Sequence, residues 1–430
     1  MLLYDYKIPD LSLIAYNCFL KNKHAYKHEP SFHCLDFDNL NKSNQSNPLI
    51  PEAMTDITDA SESSRTIMIG LNRDWAKKSG DFFVESPINF LTAIIWFLRK
   101  YKGGKYCTVP HAIEFSQANY EELFSVLRSE PTIEALINPF VNAFLNGAMA
   151  QLEGQIASAK IGLARIASPQ LYWVLNGNDF SLELNDPLHP KILCIGNNPQ
   201  KQQVYGAVLG LYLNRINKII NQKNKLKISY IIDELPTIPI LGLDNLMATA
   251  RSNKVSVTLA LQTYEMLKRD YSTEQAEVIM NLPGNVISGQ VMGDTAKQLS
   301  ERFGKIMQER QSKSINSNDI SVSHSNQLES AIPASKISNL SSGQFVGLVA
   351  DNPEQRVPQK IFNSEFINDW DAIKTEEDNY LPLPDIKEVT ESMVQHNYFQ
   401  IKKEAAEIIN DVLSEIRNDP GRAHLLIIKE

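Results

Sequence analysis

Two adjacent carboxylates follow a short apolar run near the middle of the chain. The acids are Asp233 and Glu234, and the run before them is Ile228–Ile232 (ISYII). A run of this length, bounded by Pro236, predicts a buried strand. The acids then lie at the C-terminal end of that strand, where open α/β sheets bind their ligands.

Four apolar residues followed by two acids form the Walker B pattern of nucleotide hydrolases. In such a site Asp233 would hold Mg²⁺, usually through water, and Glu234 would orient or deprotonate the attacking water. Phosphoryl transfer needs these groups because it depends mostly on positioning and charge neutralisation. Taken alone, the pair favours a simpler interpretation, an acidic cap on the helix that follows.

A cation and an amide follow the acids at suitable positions. After the acids, apolar residues recur first at helical spacing, at Leu243, Leu246, Met247 and Ala250. They then recur at strand spacing, at Val255, Val257, Leu259 and Leu261. Arg251 follows the predicted helix and Gln262 follows the predicted strand. A developing phosphoryl charge requires such groups, whereas the alternative for Arg251 is an ordinary cation near the carbonyls at a helix end.

Three segments carry a resemblance to a known family. They are IIDELPTI, LDNLMATARSNKVSVTLALQ and NVISGQVMGDTAKQLSERFG. They resemble the C-terminal half of the type IV coupling proteins of bacterial conjugation, the TraG/TraD family, in particular the mobilisation coupling proteins (MobC/TraG-like) of Bacteroidetes conjugative elements. The resemblance extends to about Trp370 and implies a hexameric DNA-pumping ATPase. It also implies that Arg251 is an arginine finger presented to the neighbouring subunit and that Gln262 senses the γ-phosphate.

The sequence contains no match to the phosphate-binding motif G-x-x-x-x-G-K-[ST]. The nearest segment, KGGKYCT at Lys102–Thr108, lacks the leading glycine and has Tyr106 where a hydroxyl side chain binds Mg²⁺. In the family, the strand matching YDYKIPD at Tyr4–Asp10 follows the P-loop and its helix. We therefore expect that Met1 is a truncated or internal start, and that the P-loop and the family's preceding transmembrane helices are absent from this chain.

The resemblance and the patterns together predict an α/β fold. We expect a RecA-like (FtsK/HerA-type) P-loop NTPase core that lacks its Walker A segment and carries an inserted all-α domain. The expected domains are 1–84 for the first part of the RecA-like nucleotide-binding domain, 85–190 for the inserted all-α domain, 191–372 for the second part with Walker B, and 373–430 for an acidic, then helical C-terminal tail.

Helical periodicity dominates the expected all-α domain. Ser86 is the predicted N-cap of its first helix, with Pro87 at the first helical position. Further helices are expected over roughly Gln117–Leu127, Ile133–Glu153 and Ile156–Ile166, and strand-like alternation is missing until Lys191. Later segments are expected to be less ordered: Gln311–Glu329 as a mobile loop or an extended hairpin tip, and the region after Lys374 as a solvated tail with a helix over Lys402–Ile416.

Composition limits the class of protein. A chain of 430 residues that is 43% hydrophobic can bury one large or two moderate cores. Its four cysteines form no CxxC pair, which indicates a reducing compartment without a disulfide framework. The best membrane candidate, Ile88–Leu98 (INFLTAIIWFL), is too short to span a bilayer and is interrupted by Asn89 and Thr92. We therefore expect no transmembrane segment in this chain.

The net charge of −8 argues against a protein that coats nucleic acid, but the charge is unevenly distributed. No acid lies between Asp186 and Asp233, a stretch that contains Lys191, Lys201, Arg215, Lys218, Lys223, Lys225 and Lys227. Such a stretch fits either a solvated helix face or a surface that faces DNA. The resemblance favours DNA, and the candidate contacts are Lys218, Lys223, Lys225 and Lys227.

The resemblance implies a function at the membrane. It implies ATP and Mg²⁺ as cofactors, and as partners the relaxase or relaxosome, single- or double-stranded DNA and the components of a type IV secretion channel. It further implies a homo-hexamer at full length, at the cytoplasmic face of the bacterial inner membrane. Because the Walker A P-loop is missing, the alternative is a non-hydrolysing module that docks the relaxosome.

Overall fold

The computed structural model describes residues 1–78, 80–316, 319–351 and 354–427, with the side chains at 309–325 left undescribed. The chain divides into two compact units. Unit 1 comprises Met1–Ala260 and the chain from Tyr380 onward, and unit 2 comprises Leu261–Asn379. The four-domain division expected from the sequence stays a prediction.

A five-stranded parallel sheet forms the centre of unit 1. Its strands are β1 (Leu2–Asp5), β2 (Ser31–Leu35), β3 (Lys191–Gly196), β4 (Ile228–Ile232) and β5 (Val255–Leu259). They lie in the order β2-β3-β1-β4-β5, with Leu2 of β1 opposite Leu193 on one side and Tyr230 on the other. The carboxyl ends of all five strands meet at one edge of the sheet, because parallel strands point the same way.

Helices account for most of the remainder of unit 1. They are α1 (Asp10–Asn22), α2 (Ile57–Leu71), α3 (Phe82–Lys100), α4 (Val109–Ser116), α5 (Tyr120–Leu127), α6 (Glu134–Leu145), α7 (Met149–Ala164), α8 (Pro169–Leu175), α9 (Gln202–Ile220) and α10 (Leu243–Thr249). Helices α2 to α8 all stand between β2 and β3 in the chain. This helical insertion explains why strand-like alternation is missing from that part of the sequence.

Unit 2 contains shorter elements around a small core. They are α11 (Tyr264–Tyr271), α12 (Thr273–Asn281), β6 (Val286–Ser288), α13 (Gly293–Phe303), β7 (Lys305–Asn316), β8 (Asp319–Ser330), α14 (Ala334–Ser338), β9 (Gln344–Leu348), β10 (Ile361–Glu365) and α15 (Trp370–Asp378). Strands β10, β9 and β6 pair antiparallel in that order. Phe303 and Val346 are buried in the core beside this sheet.

Several helix boundaries differ from the expectation, and two of the differences have a clear local cause. Helix α3 begins at Phe82, because the side chain of Asp81 accepts a hydrogen bond from the backbone N–H of Phe83 and caps the helix there. Pro87 therefore lies inside the helix and Ser86 is not the cap. The expected helix Ile133–Glu153 is broken after Leu145, because Gly147 adopts a positive φ of 72° that a continuing helix excludes.

Helix α3 and the turn after it, Phe82–Gly104, are long and apolar enough to cross a membrane by length and composition. However, 72% of the most apolar window of this segment is buried inside the protein. No other helix in the described ranges meets the same criteria. Burial of this kind is typical of a core helix of a packed domain.

The C-terminal region is more ordered than expected. Helix α16 (Glu391–Asn418) is part of unit 1 and packs against α4, α5 and α8. It buries an apolar stripe, Val394, Ile401, Ala405, Ile408, Ile409, Val412, Leu413 and Ile416. The expectation of a solvated tail is therefore wrong for this helix. Of the two expectations for Gln311–Glu329, the structure shows the hairpin, formed by β7 and β8.

Candidate functional site

The turn Asp233–Thr237, called the acidic turn below, follows β4 at the carboxyl edge of the sheet. Asp233 is half-buried, and Glu234 is buried with 8% of its surface exposed. The N–H of Asp233 donates to the carbonyl of Tyr4 (3.2 Å), and that of Leu235 donates to the carbonyl of Ala260 (2.8 Å). The turn is thus bonded both to β1 and to the residue after β5. The strand ends on its two acids as the sequence predicts.

Glu234 adopts a left-handed backbone conformation, with φ 52° and ψ 62°. For a residue with a Cβ atom this costs about 1–2 kcal/mol. Two bonds from Thr237 to the carbonyl of Glu234 compensate, one from its backbone N–H (3.0 Å) and one from its hydroxyl (2.6 Å). Because the backbone of Glu234 is held in this conformation, the direction of its side chain is set by the turn.

A chain of hydrogen bonds connects the sheet to the acidic turn. The Nδ2 of Asn197 donates to the Tyr4 hydroxyl (2.8 Å), which lies 2.7 Å from Oγ1 of Thr237. Since that Oγ1 donates to the carbonyl of Glu234, the Tyr4 hydroxyl must be its donor. Burial raises the pKa of Tyr4 well above its ordinary value, against the opposing effect of its bonds to Thr237 and Asn197. Tyr4 therefore stays protonated and keeps donating.

Tyr6, just beyond β1, lies near Glu234. Its hydroxyl donates to Oε1 of Gln202 (3.2 Å), and Nε2 of Gln202 donates to the carbonyl of Thr237 (3.4 Å). Burial, and then the charge of Glu234, raise the pKa of Tyr6. Sequence reasoning missed this tyrosine, although its position directly after a strand that ends at the same edge was a usable signal.

A cation from the helical insertion also contacts the acidic turn. Arg73, just after α2, donates from Nη1 to the carbonyl of Pro236 (2.7 Å) and from Nη2 to that of Thr237 (2.5 Å). Glycines of α9 make room for this segment. A Cβ atom on Gly206 would lie 3.4 Å from the Thr237 carbonyl oxygen, and one on Gly210 would lie 2.6 Å from that of Pro239. Nothing in the sequence indicated that Arg73 belongs to the site. The spacing of four residues between Gly206 and Gly210, by contrast, was a usable signal that another segment packs closely against α9.

The structure does not bring Arg251 to the acids of its own chain. Arg251 is exposed in a 3₁₀ turn, Ala250–Asn253, which precedes β5. Because β5 and β4 are parallel, this turn lies at the opposite edge of the sheet from Asp233. The five residues of β5 separate the two edges by roughly 16 Å.

Gln262 lies beyond the sheet. The expected strand over Val255–Leu261 ends at Leu259, so Gln262 follows it by three residues and belongs to unit 2, where it is exposed. The roles suggested for Gln262 and Arg251 stay predictions.

The glycine-rich segment Lys102–Thr108 belongs to the helical insertion. Gly103 and Gly104 have φ values of 69° and 85°, and a Cβ atom on Gly104 would lie 2.6 Å from Cβ of Pro51. Gly104 therefore allows the turn after α3 to pack closely against Pro51, which precedes α2. The segment lacks the leading glycine and the hydroxyl side chain of a P-loop, so it does not fit a phosphate site.

Two of the four candidate DNA-binding lysines form ion pairs. Lys218 pairs with Glu62 and lies 3.5 Å from Asp59, and Lys225 pairs with Glu183. Lys223 and Lys227 are exposed, and within the described ranges no ion pair is recorded for them. The positive charge available to a phosphate backbone is therefore concentrated on Lys223 and Lys227.

The segment that carries the acidic turn matches a family model. Residues 227–342 match the model described as the TraM recognition site of TraD and TraG. Over this segment the chain is therefore similar to the TraG/TraD family. The match includes Asp233, Glu234, Arg251 and Gln262. No curated protein sequence is similar enough to this chain to count as a match.

Solved structures of TrwB resemble this chain over most of its length. The unbound conjugative coupling protein TrwBdeltaN70 has a TM-score of 0.61 at 15% identity, and the match covers 85% of this chain and 78% of that one. TrwB with the GTP analogue GDPNP has a TM-score of 0.58 at 12% identity, and TrwB with ADP and Mg²⁺ has a TM-score of 0.54 at 14% identity. Each of these two matches covers 85% of this chain and 84% of the TrwB chain. These matches confirm the predicted RecA-like α/β fold.

Proposed function

We propose that the chain is the motor portion of a coupling protein of conjugative DNA transfer. It would act as a DNA-translocating ATPase that links the relaxase–DNA complex to the type IV secretion channel. The observation that carries the proposal is the acidic turn at the carboxyl edge of a parallel sheet, inside the segment that matches the TraG/TraD family. Open α/β sheets bind their ligands at this edge.

The acidic turn fits the metal and water functions of such a site. Asp233 presents a carboxylate, the ligand type that Mg²⁺ prefers, at a half-buried position. Glu234, held by Thr237, would orient or deprotonate the attacking water. ATP and Mg²⁺, when bound, supply the phosphoryl group and the charge that stabilises its transfer. Structures of TrwB contain ADP with Mg²⁺ and a non-hydrolysable ATP analogue.

The phosphate cradle does not come from these 430 residues, because their sequence lacks G-x-x-x-x-G-K-[ST]. We propose that a P-loop outside them completes the site. Strand β5 lies at one edge of the sheet and next to β4. A P-loop strand that pairs with β5 would stand one strand away from Asp233, within reach of the metal it holds.

The cation of the site would come from a neighbouring subunit. Arg251 is exposed at the opposite edge of the sheet from the acidic turn, so it is available to another copy of the chain. In a homo-hexameric ring it would act as an arginine finger on the neighbour's nucleotide, with Gln262 sensing the γ-phosphate. The ring would work at the cytoplasmic face of the bacterial inner membrane, with the relaxosome, DNA and the secretion channel as partners.

A second candidate function is a non-hydrolysing module that docks the relaxosome. The specific observation in its favour is the missing P-loop motif. Without backbone N–H groups and a lysine around the β- and γ-phosphates, the acidic turn has no positioned substrate.

Hydrolysis measurements separate the two functions. Residues 1–430 alone should hydrolyse ATP negligibly. With a P-loop segment restored from the upstream gene sequence or added as a separate piece, Mg²⁺-dependent hydrolysis should appear, and Glu234→Gln should abolish it. Asp244→Asn, an exposed acid on α10, is the matched control and should hydrolyse normally. Absence of hydrolysis in the restored protein would favour the docking module, and turnover by residues 1–430 would reveal a phosphate site within this chain.

A further inference from the structure

The contact between Arg73 and the acidic turn joins the helical insertion to the proposed catalytic carboxylate. The guanidinium donates to the carbonyls of two successive residues, Pro236 and Thr237, at 2.7 and 2.5 Å. A planar guanidinium suits two adjacent acceptors, because its N–H groups diverge in a fixed fork. Bonds with a charged donor are about twice as strong as neutral ones.

The acidic turn needs such support for two reasons. Glu234 is held in a left-handed conformation, and Pro236 has no N–H with which to bond the turn to its surroundings. Other bonds to the turn come from Thr237 itself, from the Tyr4 hydroxyl, from the N–H of Leu235 and from Nε2 of Gln202, which donates to the Thr237 carbonyl (3.4 Å). Arg73 adds a charged donor that bonds the Pro236 carbonyl and shares the Thr237 carbonyl with Gln202.

Arg73 also lies against a surface shaped for this contact. A Cβ atom on Gly206 would come within 3.8 Å of Nη2 of Arg73 and within 3.4 Å of the Thr237 carbonyl oxygen. The guanidinium is therefore packed between α9 and the acidic turn. Its charge opposes the rise in the pKa of the Tyr4 hydroxyl that burial causes.

We propose that Arg73 is a positioning residue that holds Glu234 in its hydrolytic orientation through the carbonyls of Pro236 and Thr237. The proposal rests on the proposed function, since it concerns the same carboxylate. Its consequence is mechanical: Arg73 follows α2 directly, so a displacement of the C-terminal end of α2 would loosen the turn that carries Glu234.

Hydrogen exchange tests the positioning without ATP, in the full chain of 430 residues. In Arg73→Ala, the amides of Leu235 and Thr237 should exchange about tenfold faster or more, because two bonds from a charged donor are lost. In Arg73→Lys the exchange rates of these amides should lie between those of Arg73→Ala and of the wild type, since one ammonium cannot replace the two diverging N–H groups of the guanidinium. Arg65→Ala is the matched control: it removes an arginine of α2 that is paired with Glu85, and it should leave both amides unchanged.

Each outcome decides the proposal. Unchanged exchange at Leu235 and Thr237 in a folded Arg73→Ala would overturn it. Equally faster exchange at the amides of β3 would also overturn it, because the effect would then be general unfolding. If Arg73→Ala does not fold, Arg73→Lys carries the test, and exchange at the two amides no faster than in the wild type overturns the proposal.

Hydrolysis by the protein with its P-loop restored gives the second readout. Arg73→Lys should lower kcat and leave KM for ATP unchanged, since the described bonds of Arg73 go to backbone carbonyls of the acidic turn. If Glu234→Gln leaves hydrolysis unchanged, the proposed function fails, whereas the exchange result still shows whether Arg73 holds the turn. If Glu234→Gln abolishes hydrolysis and Arg73→Lys leaves kcat unchanged, the role of Arg73 in catalysis is excluded.

Discussion

The glycines of α9 fix how closely the segment after the acids lies to that helix. A Cβ atom at Gly210 would lie 2.6 Å from the carbonyl oxygen of Pro239, which is backbone and cannot rotate away. We expect Gly210→Ala to lower the free energy of unfolding by about 1–3 kcal/mol, the usual cost of overpacking. Urea denaturation measures it as a lower midpoint at unchanged slope.

Gly154 provides the opposite control. It lies within α7, and nothing is found within 4 Å of a Cβ atom built there. Gly154→Ala should therefore raise the free energy of unfolding by about 0.5–1 kcal/mol, since alanine loses less backbone entropy in a helix. Equal changes in both variants would show that close approach at Gly210 does not decide its stability.

At the residue scale, the acids were predictable and their support was not. An apolar run ending in Asp233 and Glu234 marks a strand end in the sequence itself. The left-handed conformation of Glu234 leaves no such mark, because glutamate has no preference for it. Arg73 contacts residues more than 160 positions away, and only the folded chain shows which of its arginines reaches the acidic turn.

At the scale of elements, α16 is held onto the helical insertion by polar contacts as well as by its apolar stripe. Oε2 of Glu404 lies 3.0 Å from Nε2 of His111, and Nδ1 of that histidine lies 2.7 Å from the Thr108 hydroxyl. A neutral imidazole protonated at Nε2 satisfies both contacts, with the hydroxyl donating to Nδ1. Lys402 of α16 pairs with Glu114 (2.8 Å), which lies one turn after His111 on α4.

This contact predicts a pH dependence. The hydrogen bond from His111 lowers the pKa of Glu404 below the ordinary value of 4.5. A carboxyl whose pKa falls on folding contributes stability above its unfolded pKa and loses it as pH falls through the folded value. Glu404→Gln should therefore lower the free energy of unfolding by on the order of 1 kcal/mol at pH 7, and by less as pH falls below 4.5.

Denaturant unfolding at several pH values measures this difference. The matched control is Glu407→Gln, whose carboxylate forms an exposed pair with Lys403 on the same helix. Exposed pairs contribute little, so this variant should unfold as the wild type does at every pH. A difference between Glu404→Gln and the wild type that stays constant below pH 4.5 would contradict the role of the ionised carboxyl.

Elements were predictable where their periodicity was strong and less so at their ends. Strand β4 follows from its short apolar run, and α10 and β5 follow from the helical and strand spacings of their apolar residues. The start of α3 was misplaced because Ser86–Pro87 is a strong local start signal, yet Asp81 caps the helix earlier. The burial of α16 was missed because its apolar stripe has no partner until the helical insertion is folded.

At the scale of the whole molecule, the positive stretch before β4 is the candidate DNA contact. If Lys223 and Lys227 face DNA, changing both to alanine should reduce the slope of log affinity against log salt by about 1.5, since each lost phosphate contact contributes roughly 0.7–0.9. Changing Lys218 and Lys225 removes the same charge, but these lysines pair with Glu62 and Glu183. That control should reduce the slope less, and equal reductions would indicate only a general charge effect.

Assembly decides whether Arg251 works across subunits. It lies at the edge of the sheet opposite Asp233, so it can serve a nucleotide only if a neighbour brings one. In the ring with its P-loop restored, Arg251→Ala should retain ATP binding and lose hydrolysis, by a factor on the order of 10³ if it matches other arginine fingers. Loss of ATP binding or of the fold would instead indicate a structural cation at the end of α10.

Mixing two inactive variants gives the sharper measurement. In rings formed from Arg251→Ala and Glu234→Gln subunits, some interfaces pair an intact Glu234 with an intact Arg251 from the neighbour. Part of the hydrolysis should therefore return, whereas rings of either variant alone stay inactive. Tagging the two variants differently and isolating rings that carry both tags provides the control. If such mixed rings recover no hydrolysis, Arg251 does not act on the neighbour's nucleotide, because a finger in trans requires only one intact interface.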